Sequence, residues 1–208
     1  MEVEYRGANC VVIKNKKVLI VVDPTDNVSV KEMKNSDAVV LMTQKKFLPN
    51  EHNEQNFIIE MPGEYERNDV SIRGIPVRTH IGADEQAKNA TMYSIEIDGV
   101  RIAVIGHTTA PLDDESLEDL GMIDVVIIPV GGGGYTLDAR DAATIVRQIS
   151  PKVVIPTHYA DTQIKYEVTQ ESVENFVKEL ASIHEKNTAF KAKILPEALT
   201  IYELTRTS

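Results

Sequence analysis

Short apolar runs alternate with polar turns through the first half of the chain, a pattern that is typical of β-strands. These runs predict strands over residues 10–14, 17–22, 37–42, 57–60, 70–73, 76–79, 92–97 and 100–105. After Asp37 the third run is continuously apolar, which indicates a strand that is buried on both faces. Asp98 and Gly99 separate the last two runs and form the strongest hairpin signal in the sequence.

Strands alternate with helices in the second half of the chain. The predicted strands cover residues 124–130, 153–156, 192–195 and 199–204. Apolar residues at helical spacing predict one helix over 138–149, with Asp138 as its N-cap, and another over 169–183, with His184 exposed at its end. This order predicts an α/β (α+β) domain with layered sheets. Because no linker, repeat or low-complexity tract interrupts it, we expect residues 1–208 to form a single domain.

The composition limits the classes of function. Hydrophobic residues make up 42% and charged residues 26% of the 208, the balance of an ordinary globular protein. The net charge of −10 disfavours nucleic-acid binding, and no apolar run approaches the roughly 20 residues that cross a bilayer. Cys10 is the single cysteine and the start of the chain is not signal-like, so we expect an inert thiol and a cytoplasmic protein. A small-molecule or anionic ligand is compatible with these features.

Two motifs in the second half, Pro129-Val-Gly-Gly132 and Pro156-Thr-His-Tyr159, occur in the order and at the separation found in a known family. Together with the strand that ends in Asp23-Pro24, they resemble the small metal-dependent hydrolase branch of the metallo-β-lactamase superfamily. The resemblance spans residues 5–160 and implies a four-layer αββα sandwich. It also allows a homo-oligomer, because related proteins self-associate. Asp23 is interpreted as a residue that forms a turn or supports a ligand, rather than as a catalytic base.

The family's metal-binding signature, His-x-His-x-Asp-His, should directly follow the strand predicted at 37–42. Gln44 and Lys46 stand at its first two histidine positions, and Leu48-Pro49 stands at its Asp-His. The family's Gly-Asp, whose carboxylate joins two metal ions, reads Gly106-His107 in this chain. The resemblance therefore implies that four signature ligands and the bridging carboxylate are replaced.

Two ligand positions of the family are retained, at His80 and His158. A site that has lost its bridging carboxylate and gained Lys46 carries too little negative charge to hold two dications. The leading hypothesis is therefore a divergent member without a dinuclear centre, either catalytically impaired or serving as a binding or assembly module. In that protein, Lys45 and Lys46 are the candidates for binding a phosphate or carboxylate anion.

The alternative hypothesis is a metal-dependent hydrolase of ester, lactone or phosphoester bonds that uses one metal ion. His80, His107 and His158 would supply three imidazoles, an arrangement that catalytic zinc accepts when water takes the fourth position. The first hypothesis requires no cofactor, whereas this one requires one zinc ion. A third hypothesis is that the polar segments 51–54 and 84–85 supply replacement ligands.

Overall fold

The chain folds into two β-sheets that pack face to face, with helices on their outer faces. The computed structural model describes residues 1–26, 28, 31–34, 37–50, 52–79 and 88–207. The predictions that involve His80, Glu51 and segment 84–85 therefore fall outside the described residues.

Strands dominate the described chain because its apolar runs are short, rich in valine and isoleucine, and broken by turns. Their bounds are β1 (Glu2–Gly7), β2 (Cys10–Lys14), β3 (Leu19–Val22), β4 (Val39–Leu41), β5 (Phe57–Ile59), β6 (Gly63–Arg67), β7 (Val70–Val77), β8 (Ala90–Ile97), β9 (Val100–Val104), β10 (Val125–Pro129), β11 (Val153–Thr157), β12 (Ile183–Asn187), β13 (Phe190–Lys191) and β14 (Thr200–Leu204). The helices are α1 (Asp114–Leu120), α2 (Ala139–Ile149) and α3 (Val173–Glu179), with 3-10 turns at Lys31–Lys34 and Lys45–Phe47. Within the described ranges, no helix is long and apolar enough to cross a membrane.

The described strands form two mixed sheets. One has the order β13-β1-β2-β3-β4-β5, and the other has the order β12-β14-β11-β10-β9-β8-β7-β6. β3, β4 and β5 pair in parallel in the first sheet, as do β9, β10 and β11 in the second. Parallel strands bring their carboxyl ends to one edge of a sheet, where the following loops can build a site.

Three apolar clusters define the layers of the fold. One lies between the sheets and joins Ile13 and Leu41 of the six-stranded sheet to Tyr93 and Ile127 of the eight-stranded sheet. A second packs the helices on the outer face of the eight-stranded sheet. A third covers the outer face of the six-stranded sheet, where Met33 of a 3-10 turn packs. This layering confirms the αββα sandwich that the resemblance implied.

Two predictions near the C-terminus are wrong. The helix predicted over 169–183 is confined to α3, because the backbone becomes extended at Leu180 and then enters β12. His184 consequently lies on a strand and not at the end of a helix. No strand forms at 192–195, where Ile194 is 90% exposed and has no apolar face to pack against.

The local turn and helix signals are confirmed. Asp138 caps α2, and its side chain accepts a hydrogen bond of 2.8 Å from an amide of the first turn. Asp98 and Gly99 have φ values of 53° and 74°, as the turn of a tight hairpin requires. The strands predicted at 70–73 and 76–79 are one strand, β7, because Gly74 remains in the ladder with β8.

Gly106 fixes how closely the loop after β9 approaches the loop after β4. It has a left-handed backbone with φ of 59°, and a Cβ atom there would overlap the side chain of Thr43. We expect Gly106→Ala to lower the free energy of unfolding by about 3 kcal/mol, because a left-handed alanine and overpacking are each unfavourable.

Gly99→Ala is the matched control for this substitution. Gly99 has φ of 74°, but nothing lies within 4 Å of an added Cβ atom. Gly99→Ala should therefore lower the free energy of unfolding by only about 1 kcal/mol, from backbone strain alone. Urea denaturation measures both variants, and equal losses would contradict the contact between Gly106 and Thr43.

Candidate functional site

Loops from both sheets meet at the carboxyl ends of the parallel strands. Asp23 follows β3, Thr43 follows β4, His107 follows β9 and His158 follows β11. Asn9 joins them from the turn between β1 and β2. All five residues are buried, with 8% exposure or less. Polar side chains at this depth require hydrogen-bond partners, and these partners determine the chemistry of the site.

A chain of hydrogen bonds runs from Asp23 through Thr43 to His107. The Thr43 amide donates to Asp23 Oδ1 at 2.7 Å, and the Thr43 hydroxyl donates to Asp23 Oδ2 at 2.6 Å. The same hydroxyl lies 2.9 Å from His107 Nδ1. The Thr43 carbonyl accepts from the Thr91 amide of β8 at 2.9 Å, so Thr43 also joins the two sheets.

When Asp23 is ionised, this chain of hydrogen bonds selects one tautomer of His107. A hydroxyl has a single proton, so a Thr43 hydroxyl that donates to ionised Asp23 accepts the Nδ1 proton of His107. The lone pair of the neutral imidazole is then on Nε2. Asn9 Nδ2 lies 3.5 Å from His107 Nδ1 and 3.3 Å from Nε2. These nearly equal distances put the amide over the ring rather than in line with the Nε2 lone pair.

His158 is held by an independent set of contacts. Its Nδ1 lies 2.9 Å from Gln170 Oε1. Gln170 Nε2 donates to the Val168 carbonyl at 3.0 Å, which orients the amide so that its oxygen faces the imidazole. His158 therefore donates from Nδ1 and keeps its lone pair on Nε2. Burial lowers the pKa of His158 below its ordinary value, so the ring is neutral at pH 7.

The two imidazoles line one cavity of about 120 Å³. Their ring centroids are 6.4 Å apart and their planes are inclined by 76°. Phe47 packs against His107 with 4.9 Å between ring centroids, and Tyr166 packs against His158 at 5.1 Å. Imidazoles whose Nδ1 atoms are held by a supporting side chain are donors of the kind that zinc prefers.

Three residues around the cavity have left-handed backbone conformations. The φ values are 49° for Ala8, 42° for Asp23 and 51° for His158. The His158 amide donates to the Ala8 carbonyl at 2.7 Å, which ties two of these strained positions together. Each conformation costs about 1–2 kcal/mol for a residue other than glycine, and such strain is concentrated at functional sites.

The structure brings together two of the three predicted histidine ligands, His107 and His158, whereas His80 lies outside the described residues. The structure does describe the residues that lead to His80, up to Thr79. The Arg78 carbonyl accepts from the Thr109 amide at 3.1 Å, so this segment runs beside the loop that carries His107. In the part of the chain that the structure describes, no group of three or more histidine, cysteine, aspartate or glutamate side chains is placed to hold a metal ion.

The predicted anion-binding lysines lie on the 3-10 turn after β4. Lys45 forms an ion pair with Glu60, and its side chain is 72% exposed. Lys46 Nζ lies 4.8 Å above the ring of Phe47. Neither lysine is among the described residues that line the cavity, so their role stays a prediction. His52 makes a 3.0 Å contact to a backbone carbonyl of its own loop, and the hypothesis of replacement ligands also stays a prediction.

Three residues of the site have no clear signal in the sequence. Thr157 donates to Asn9 Oδ1 at 3.3 Å across 148 positions of the chain, a contact that no local pattern predicts. Gln170 belongs to a segment that was predicted to begin a helix, although its side chain supports His158. Thr43 offers a weak signal, because it is the first polar residue after a buried strand and directly precedes the segment where the family's metal-binding signature is expected.

Comparison with known proteins gives matches over most of the chain. The sequence profile of a family described as "Beta-lactamase superfamily domain" matches residues 2–158. A protein of Thermococcus onnurineus, named UPF0173 metal-dependent hydrolase, is 42% identical over 72 residues, 34% of this chain and 32% of that protein. A protein of Pelotomaculum thermopropionicum with the same name is 31% identical over 114 residues, 55% of this chain and 46% of that protein. The chain thus matches between a third and a half of the length of these curated relatives.

Solved structures share the fold over nearly the whole chain. A Thermotoga maritima protein of the metallo-β-lactamase superfamily has a TM-score of 0.76 and 22% identity, with 98% of each chain covered. A metallo-β-lactamase fold protein of Bacillus subtilis has a TM-score of 0.63 and 9% identity, with 99% of this chain and 96% of that chain covered. At these identities the likeness establishes the fold alone.

Burial raises the pKa of Asp23 to about 7, because desolvation outweighs the two hydrogen bonds from Thr43, which lower it. Between about pH 4 and 7, Asp23 is then protonated in the folded protein and ionised in the unfolded chain. The free energy of unfolding of the metal-free protein should therefore fall as the pH rises through this window, by up to about 1.4 kcal/mol per pH unit. Asp23→Asn should remove this decrease in the free energy of unfolding with rising pH.

Urea denaturation in the presence of a chelator, repeated between pH 4.5 and 7.5, measures the effect. Asp26→Asn serves as the control, because it removes an exposed carboxylate nearby and should keep the wild-type slope. Parallel curves for wild type and Asp23→Asn would show that Asp23 does not titrate in this window.

Proposed function

This chain belongs to the metallo-β-lactamase superfamily, and from that membership we propose that it is a hydrolase that acts through a single zinc ion. His107 and His158 would hold the ion, with His80 as the third ligand. The observation that carries the proposal is the pair of buried imidazoles at one cavity, each with its Nδ1 within hydrogen-bond distance of a supporting side chain. Ligand imidazoles in zinc sites are oriented in this way, through the ring nitrogen that does not bind the metal.

The backbone around residue 79 supports His80 as the third ligand. The Thr108 hydroxyl donates to the Arg78 carbonyl at 3.2 Å, immediately after His107 in the chain. On the other side, Gln44 Nε2 donates to the Thr79 hydroxyl at 2.7 Å. The two residues before His80 are therefore anchored, Thr79 to the loop after β4 and Arg78 to the loop after β9.

The charge of the site favours one ion over two. Imidazole ligands bring no negative charge to the site, and Asp23 Oδ2 lies 3.9 Å from His107 Nδ1. One dication close to His107 would favour the ionised form of Asp23, and with it the tautomer that presents Nε2. A second dication would have no bridging carboxylate, because His107 stands where the family has aspartate.

A bound ion would supply Lewis-acid chemistry, which polarises the carbonyl or phosphoryl oxygen of an ester, lactone or phosphoester. The residues of this chain bind and orient the reacting groups. Thr43 and Gln170 hold the Nδ1 protons of the two imidazoles, which prevents the rings from turning. Phe47 and Tyr166 pack on the two rings and limit the access of water to the cavity.

The hypothesis of a catalytically impaired binding module predicts no bound metal, so metal content separates the two functions. We expect protein purified without a chelator to hold about one zinc ion per chain by mass spectrometry of the metal. His107→Ala and His158→Ala should each lose it, because each removes an imidazole from the donor set.

His184→Ala is the control for the two histidine variants. His184 lies on β12 and contacts Glu203 Oε2 at 2.9 Å, so its removal should leave the zinc content unchanged. No zinc in the wild type, or zinc retained by His158→Ala, would reject the proposed site.

Thr43 should act as a positioning residue for His107. We expect Thr43→Val to weaken zinc binding about 10- to 100-fold, because valine keeps the shape but loses the hydroxyl between Asp23 and His107. Thr43→Ser retains a hydroxyl and should stay within a few-fold of the wild type. Competition with a chromophoric chelator measures both affinities, and equal affinities for valine and serine would contradict this role.

A further inference from the structure

The proposed hydrolase acts on an ester, a lactone or a phosphoester bond. The walls of the cavity beside the two histidines discriminate among these three substrates. We propose that the substrate is an ester or lactone with a short, uncharged acyl chain, and that this chain occupies the cavity. The inference rests on the proposed function and makes its substrate class specific. It depends on the size of the cavity, the chemistry of its walls and the position of its charges.

Size limits the acyl chain. The cavity holds about 120 Å³. An apolar cavity of about 150 Å³ accepts benzene, which has six carbon atoms. By that comparison, this cavity accepts about four or five carbon atoms, a butyryl or pentanoyl chain.

Five apolar side chains line the cavity together with the two histidines. They are Ala8, Val28, Phe47, Ile164 and Val168. Ala8 and Val28 belong to the apolar cluster on the outer face of the six-stranded sheet, and Phe47 and Ile164 pack against that cluster. A methylene chain in this cavity would therefore extend an existing core rather than displace water from polar groups.

The charges at the cavity disfavour a phosphoester. Lys165 is the one cationic side chain among its described lining residues, and it is exposed. Two carboxylates line the same cavity: Glu167, which accepts a hydrogen bond from Tyr135, and buried Asp23. A phosphate group would bring further negative charge next to both acids, whereas a carboxylic ester brings none.

The segment between β11 and α3 forms one wall and is anchored at several points. Arg206 Nε donates to Asp161 Oδ2 at 2.7 Å, and Tyr166 donates to the Tyr159 carbonyl at 2.9 Å. The Glu171 amide donates to the Gly131 carbonyl at 2.8 Å. Such a wall is preorganised, so it should select the length of the acyl chain and not merely its polarity.

The first test measures kcat/KM of the zinc-loaded chain for p-nitrophenyl esters from acetate to decanoate and for bis(p-nitrophenyl) phosphate. We expect a rise of about fourfold per methylene from acetate to butyrate, because each added methylene is removed from water. Beyond pentanoate the rate should fall, and the phosphodiester should be at least about 100-fold poorer than butyrate. Ile164→Ala should move the optimum to a longer chain, whereas the control Ile194→Ala, at a 90% exposed position, should not.

The second test needs no metal. Butyramide added to the chelator-treated protein should shift the methyl NMR signals of Ile164 and Val168, whereas inorganic phosphate should leave them in place. Zinc-dependent cleavage of the phosphodiester in preference to all esters, with no response to butyramide, would overturn this inference while the proposed function stands. A protein without bound zinc would overturn the proposed function, and the butyramide titration would still decide whether the cavity accepts an acyl chain.

Discussion

The buried hydrogen-bond chain from Asp23 through Thr43 to His107 is the interaction on which the site depends. It connects the ends of β3, β4 and β9, and so it spans both sheets of the sandwich. Gly106 permits it by leaving space for the Thr43 side chain. Because the three side chains are almost completely buried, water cannot replace a lost partner, and each bond is costly to break. The orientation of His107 is therefore a property of the whole fold and not of one loop.

The two histidines are supported by different parts of the chain, but each is held through its Nδ1 atom. His107 depends on the six-stranded sheet through Thr43, whereas His158 depends on Gln170 in the segment that follows β11. Both rings are therefore expected to present Nε2. The two imidazoles are therefore oriented by independent sets of contacts. The same segment that supports His158 also supplies part of the apolar lining of the cavity, through Ile164 and Val168.

Local patterns of apolar runs and turns predict the layered α/β domain, whereas the αββα sandwich and the grouping of His107 with His158 are implied by the family resemblance. His107 and His158 each follow a buried strand, and the carboxyl ends of parallel strands meet at one edge. Asn9 and Gln170 could not be predicted, since their contacts join distant positions or depend on one side-chain orientation. The segment that leads to His184 was wrongly assigned to a helix. The apolar spacing of residues 173–180 is helical, but the helix ends at Glu179 and the chain pairs with β14 from Ile183 onward. β1, β6 and α1 were not predicted, since their apolar patterns are weak.

X-ray absorption at the zinc edge of the loaded full-length chain tests the central claim most directly. A single ion held by His80, His107 and His158 predicts a first shell with three imidazole nitrogens at about 2.0–2.1 Å. It also predicts no metal scatterer at the distance of about 3.5–4 Å that separates the ions of a two-metal site. A second zinc at that distance, or a first shell without imidazole, would contradict the account.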